Sequence, residues 1–130
     1  MGKILLLLCA ALLVTGCTLQ NTEQTLEAEQ TATSLQTIQG TWTSTDDANS
    51  TVEFIGRTKI DYYEDQAVTQ AEFKLYELSP DSSTPQENDD GAHLVVGNGD
   101  DMFEYTIVEL TDSILTLTYL ARGNTLSYQR

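Results

Sequence analysis

Thr37-Ile38-Gln39-Gly40-Thr41-Trp42-Thr43-Ser44-Thr45-Asp46 carries the only tryptophan of the chain, two residues after a glycine, where a polar low-complexity segment gives way to short alternating runs. From this stretch onward the sequence reads as eight strand candidates: Ile38–Ser44, Thr51–Ile55, Thr58–Tyr63, Thr69–Leu78, Ala92–Gly97, Met102–Leu110, Ser113–Leu120 and Thr125–Arg130. Val52 and Phe54 share one face at a period of two residues, as do Ala71, Phe73 and Leu75, and Leu115, Leu117 and Tyr119. The connections Gly56-Arg57, Asn98-Gly99-Asp100-Asp101, Thr111-Asp112 and Arg122-Gly123-Asn124 are short and rich in turn formers. Short links between successive strands imply an all-β, antiparallel up-and-down meander of eight strands, with no helix expected in the domain. Closing the meander into a small barrel removes its exposed edges, and an open two-sheet β-sandwich is the competing architecture. A closed eight-stranded barrel is just wide enough to be filled by side chains or to hold one small ligand.

One connection differs from the rest. Ser79 to Gly91 contains both prolines of the chain and no apolar side chain. Loops longer than about 12 residues are usually functional or disordered, and this composition points to disorder.

The N-terminal part has another logic. Lys3 precedes an apolar run of eleven residues, Ile4 to Val14, followed by Thr15, Gly16 and Cys17. A positive start, a short apolar stretch and small residues together read as an export signal, and the run is too short for a transmembrane helix of about 20 residues. Val14-Thr15-Gly16-Cys17 resembles the lipobox of bacterial lipoproteins. That resemblance implies a signal peptide over 1–16, acylation (palmitate among the chains) of Cys17, and a membrane partner reached through that anchor. Thr18 stands where an acidic residue would retain such a lipoprotein at the inner membrane, so the implied location is the cell envelope at the outer membrane. Cys9 leaves with the signal, so Cys17 is the sole cysteine of the expected mature chain and no disulfide supports the fold. Residues 17–36, rich in Thr, Gln, Glu and Ala, read as a tether, and residues 37–130 as the folded domain. The nineteen residues Thr18 to Gln36 reach roughly 25 Å as a flexible coil.

Twenty acidic and six basic side chains give a net charge of −14, which becomes −15 once Lys3 is removed. Such a chain repels nucleic acid, whose binding depends on releasing counterions to Lys and Arg. A cationic partner, by contrast, would be steered toward it. The acidic groups Asp46-Asp47, Glu87-Asn88-Asp89-Asp90 and Asn98-Gly99-Asp100-Asp101 lack the ligand spacing of a calcium loop and read as turn formers, so neither a metal nor another cofactor is expected. His93 is the single histidine and no nucleophile motif accompanies it, so no catalytic residue and no enzyme activity is expected.

Gly40-Thr41-Trp42, at the start of the first strand of an up-and-down barrel, resembles the G-x-W signature of lipocalins and related calycin barrels. The resemblance implies that Trp42 closes one end of the barrel beneath a basic side chain from near the last strand. Arg130 is the candidate for that part, with Arg122 as the alternative. The chain is shorter than a typical secreted lipocalin and lacks that family's C-terminal helix. A lipocalin-like domain of this kind would act as a monomer and bind a small apolar or amphipathic ligand in the mouth opposite Trp42. Its candidate lining residues are Phe54, Ile60, Phe73, Leu75, Phe103 and Leu117. Tyrosines that face the open mouth would add binding surface, because Tyr joins an apolar body to a polar tip. The alternative is a protein-binding module whose acidic loops recognise a basic protein, as small lipobox-bearing inhibitors of lysozyme do.

Overall fold

A computed structural model describes residues 31–78 and 84–130 of the chain; the expected signal peptide, Cys17 and most of the expected tether lie outside the described residues. Eight strands follow one another in antiparallel pairs: β1 (Gly40–Ser44), β2 (Ser50–Ile55), β3 (Thr58–Tyr63), β4 (Gln66–Glu77), β6 (His93–Asn98), β7 (Asp101–Leu110), β8 (Ile114–Tyr119) and β9 (Thr125–Gln129). Their order is β3-β2-β1-β9-β8-β7-β6-β4, and β3 pairs back onto β4 from Thr58↔Glu72 to Tyr63↔Gln66, which closes the circuit. The fold is therefore an eight-stranded closed antiparallel barrel, and the open sandwich is excluded by that last pairing. A ninth strand, β5 (Gln86–Glu87), adds to β4 outside the circuit through Tyr76↔Glu87 and Glu77↔Gln86.

The period-two alternation sets which side chains enter the barrel. Trp42 opposes Val52, Phe54 opposes Lys59, Phe73 opposes Val96 and Leu75 opposes Leu94, so these residues share the inner face. Leu117 lies between Ile107 and Leu126, and Leu115 opposes Tyr128. Ile38, Trp42, Val52, Phe54, Phe73, Leu75, Leu94, Val96, Leu115 and Leu117 form one continuous core. Phe54 and Phe73 meet edge to face with centroids 5.2 Å apart, the arrangement that ring quadrupoles favour.

The compact unit begins at Ala32, ahead of the expected boundary at 37. Residues Ser34–Ile38 form a short helix, α1, where no helix was expected, and Ile38 belongs to it rather than to the first strand. Thr33 starts the helix with a capping box: its hydroxyl accepts from the Gln36 amide, and the Gln36 side chain accepts from the Thr33 amide. The last residue of α1, Ile38, is fully buried, and the indole Nε1 of Trp42 donates to its carbonyl at 2.8 Å. Helix and indole together seal this end of the barrel.

Arg130 completes the seal. Its guanidinium carbon lies 4.0 Å from the Trp42 ring centroid, and its nitrogens donate to the carbonyls of Thr37, Gln39 and Asp112. Gly40 makes room for this: its φ is +110°, and a Cβ there would stand 3.0 Å from Arg130 Nη1. Arg122 sits elsewhere, exposed in the β8–β9 turn.

Trp42→Ala should cost about 3–5 kcal/mol of stability by leaving the core without its largest side chain. Arg130→Ala should cost about 2–3 kcal/mol through the lost stacking and carbonyl bonds. Urea unfolding of both variants checks these values. An Arg130→Ala variant as stable as the parent would show that the indole alone closes the barrel.

Candidate functional site

At the end opposite Trp42 the inner faces of the strands carry a different chemistry. Strand register brings Asp61 next to Val52 and Thr69, Tyr105 next to Leu94 and Tyr119, and Phe103 next to Val96. Lys59 Nζ lies 2.5 Å from Asp61 Oδ1, and Thr69 Oγ1 donates to Asp61 Oδ2 at 2.7 Å. The Lys59 side chain is 8% exposed and that of Asp61 39%, so the ammonium is held inside while the carboxylate reaches the opening. A buried ammonium is tolerable only when paired in this way.

An aromatic layer lies over the pair. Tyr105 and Tyr119 have ring centroids 5.2 Å apart, and Phe103 and Tyr119 6.2 Å. Tyr128 enters from β9 two residues before Arg130, so β9 contributes to both ends of the barrel. Burial, then the Asp61 charge and then Tyr119 raise the Tyr105 phenol above its usual value. Burial, then Asp61 and then Tyr105 push the Tyr128 phenol up to about 12. Both tyrosines therefore feel the same carboxylate across the lumen and stay neutral at physiological pH. Among the described residues, the hydroxyls of Tyr105, Tyr119 and Tyr128 have no hydrogen-bond partner. They are open to a ligand or to water.

The turns at this end are acidic. They contribute Asp46 and Asp47, Glu64 and Asp65, and Asp100, against one basic residue, Arg122. Glu64 and Asp65 have φ of 48° and 61°. Side chains other than Gly, Asn and Asp avoid this left-handed region, at a cost of about 1–2 kcal/mol per residue. Among the described residues no three carboxylate, histidine or cysteine groups converge in a way that could hold a metal ion.

The candidate lining residues fall into three groups. Phe54, Phe73, Leu75 and Leu117 fill the core near Trp42 and are essentially inaccessible. Ile60 turns to the outer wall, because its neighbours Lys59 and Asp61 oppose the inward Phe54 and Val52. Phe103, 47% exposed, is the member that stands at the mouth. Lys59, Asp61 and Thr69 also face the lumen, although none is apolar. Their only sequence signal is that they keep the inward phase of strands whose other inward positions are apolar.

In comparisons with known proteins, no family model matches the chain, and neither a curated protein nor a solved structure shows significant similarity to it.

Folded Tyr128 holds its proton more tightly than the unfolded chain, whose phenols titrate near 10. Stability should therefore be complete below about pH 10 and decline as pH rises toward about 12. At about pH 11 the Tyr128 contribution to that decline is about 1–1.5 kcal/mol, and Tyr128→Phe should abolish it. Unfolding curves at neutral pH and at about pH 11 measure the difference.

Proposed function

We propose that the protein is a cell-envelope lipoprotein, anchored at the outer membrane through acylated Cys17, whose lipocalin-like barrel takes a small amphipathic ligand into the mouth opposite Trp42. The observation that carries this reading is the inner ring of that mouth: Phe103, Tyr105, Tyr119 and Tyr128 above the Asp61 carboxylate. Aromatic faces supply apolar contact, and three hydroxyls without partners among the described residues supply orientation. Because Phe54, Phe73, Leu75 and Leu117 occupy the space behind, the ligand sits shallowly and is small. A long acyl chain would have to displace the core.

A second reading has its own support. Acidic residues stand on three of the four turns that rim the mouth, and this is the charge pattern that would steer a basic protein such as lysozyme onto it.

Two measurements test the proposal. The parent chain should incorporate labelled palmitate and sediment with membranes, and Cys17→Ser should lose the label and become soluble; a membrane-bound, unlabelled parent would refute acylation. A neutral amphipathic probe such as N-phenylnaphthylamine should bind saturably, with affinity falling at least about ten-fold in Tyr119→Ala. Absence of saturable binding, or equal binding by the variant, refutes the ligand site, and salt-sensitive capture of lysozyme would then favour the second reading.

A further inference from the structure

The charge of what enters the mouth is set by the groups around it. Among the described residues, three of the basic side chains are engaged elsewhere: Arg57 with Asp89, Lys74 with Glu87, and Arg130 over Trp42. Lys59 is inside the barrel, with its ammonium turned to Asp61. Arg122, exposed in the β8–β9 turn, is left as the one cation at the mouth without an acidic partner among the described residues. An anionic head group would find no pair of free donors inside.

The acids are distributed in the opposite way. Asp46, Glu64, Asp65 and Asp100 are exposed on three rim turns, and neither they nor Asp47 form an ion pair among the described residues. The β3–β4 turn shows the preference most clearly. Two-residue turns between antiparallel strands are made with least strain by Asn-Gly or Gly-Gly, yet here Glu64 and Asp65 take up the positive φ. Two carboxylates therefore stand beside the strand that carries Asp61, where an uncharged turn would fold more easily.

Asp61 itself is an independent part of the site. Lys59 occupies its Oδ1 and Thr69 its Oδ2 with one bond each, whereas an ionised carboxylate accepts about four. Its field crosses the lumen: after burial, it is the next cause that raises the phenols of Tyr105 on β7 and Tyr128 on β9. Above it, Phe103 and Tyr105 flank Tyr119, with centroids 6.2 and 5.2 Å from that ring. Ring faces carry negative potential and attract cations. A primary ammonium brings three N–H donors, which suit the spare carboxylate positions and the phenolic oxygens. Ring faces, phenolic acceptors, a reachable carboxylate and an acidic rim all favour the same sign.

We propose that the ligand of the mouth is a small amphipathic amine, its primary ammonium between the Asp61 carboxylate and the tyrosyl hydroxyls and its apolar body against Phe103 and Tyr119. This rests on the reading of the mouth as a ligand site. 4-Phenylbutylamine, 4-phenylbutanol and 4-phenylbutyrate share one body and differ in head-group charge, so the ratio of their affinities isolates the sign. At neutral pH the amine should bind the full chain at least about ten-fold tighter than the alcohol, and the butyrate more weakly than either. Asp61→Asn should bring the amine-to-alcohol ratio close to one. Lys59→Met, which removes the ammonium that competes for the same carboxylate, should raise it. Glu72→Gln makes an equal charge change on the exposed outer face of β4 and should leave the ratio as it is. Saturable alcohol binding with an amine no tighter, a ratio that neither Asp61→Asn lowers nor Lys59→Met raises, or an equal loss in Glu72→Gln would overturn the proposal. Absence of binding by all three compounds would instead remove the mouth as a ligand site, and this inference with it.

Discussion

The barrel depends on the stacking of Arg130 over Trp42. The β1–β9 seam is the weakest in the circuit, with register pairs only at Thr43↔Gln129 and Ser44↔Tyr128 and one further bond from the Thr45 amide to the Ser127 carbonyl. Below that point β1 runs on toward Gln39 without a strand partner on this side. Arg130 replaces the missing ladder with side-chain bonds to the Thr37, Gln39 and Asp112 carbonyls, and so joins α1, β1 and the β7–β8 turn around one cation. The indole is held from both directions, by the guanidinium above and by its own bond to the Ile38 carbonyl. A guanidinium carries five fixed donors, so one side chain serves several carbonyls at once.

Sealing one end this firmly divides the interior. Near Trp42 the lumen is apolar and packed; toward the mouth it changes within one strand, β3, from Lys59 beside Phe54 to Asp61 beside Tyr105 and Tyr128. An ammonium and a carboxylate in that position are weak contributors to stability, because desolvation offsets their attraction. Their value lies in specificity of arrangement: the pair fixes the carboxylate under the tyrosines and leaves it reachable. Outside the wall, β5 and its arm add a second polar surface that the barrel does not need for closure. Polar groups thus gather at the mouth and along the outer arm, and the apolar core lies apart from both, with little sharing of side chains among them.

Much of this was legible in the sequence. The inward sets Val52 and Phe54, Ala71, Phe73 and Leu75, and Leu115, Leu117 and Tyr119 follow from alternation alone, and the short turns dictate the meander. Three features were hidden for identifiable reasons. Helix α1 has five residues, too few for helical periodicity to register, and only Thr33 and Gln36, three apart, mark its start. Ile60 was a natural candidate for the interior because it is the apolar residue of its strand, yet the register of Phe54 and Val52 admits Lys59 and Asp61 instead. The segment after Thr84 looked disordered because it lacks apolar side chains. It is held by Asn88, Asp89 and Asp90, whose bonds to Leu75, Glu77, Arg57, Leu35 and Ser34 depend on a wall that composition cannot display.

The Arg130 bonds to Gln39 and Thr37 join residues 91 and 93 positions apart. Every other seam of the meander except β4–β6 joins immediate neighbours in the strand series, and even that one spans a short stretch of chain. Local hairpins can therefore form as they emerge, whereas the seam that makes the cylinder must wait for nearly the whole domain and bear the largest loop-closure entropy. A chain whose lock forms last is one that can be kept unfolded for threading through a narrow passage and still finish as a closed object on the other side.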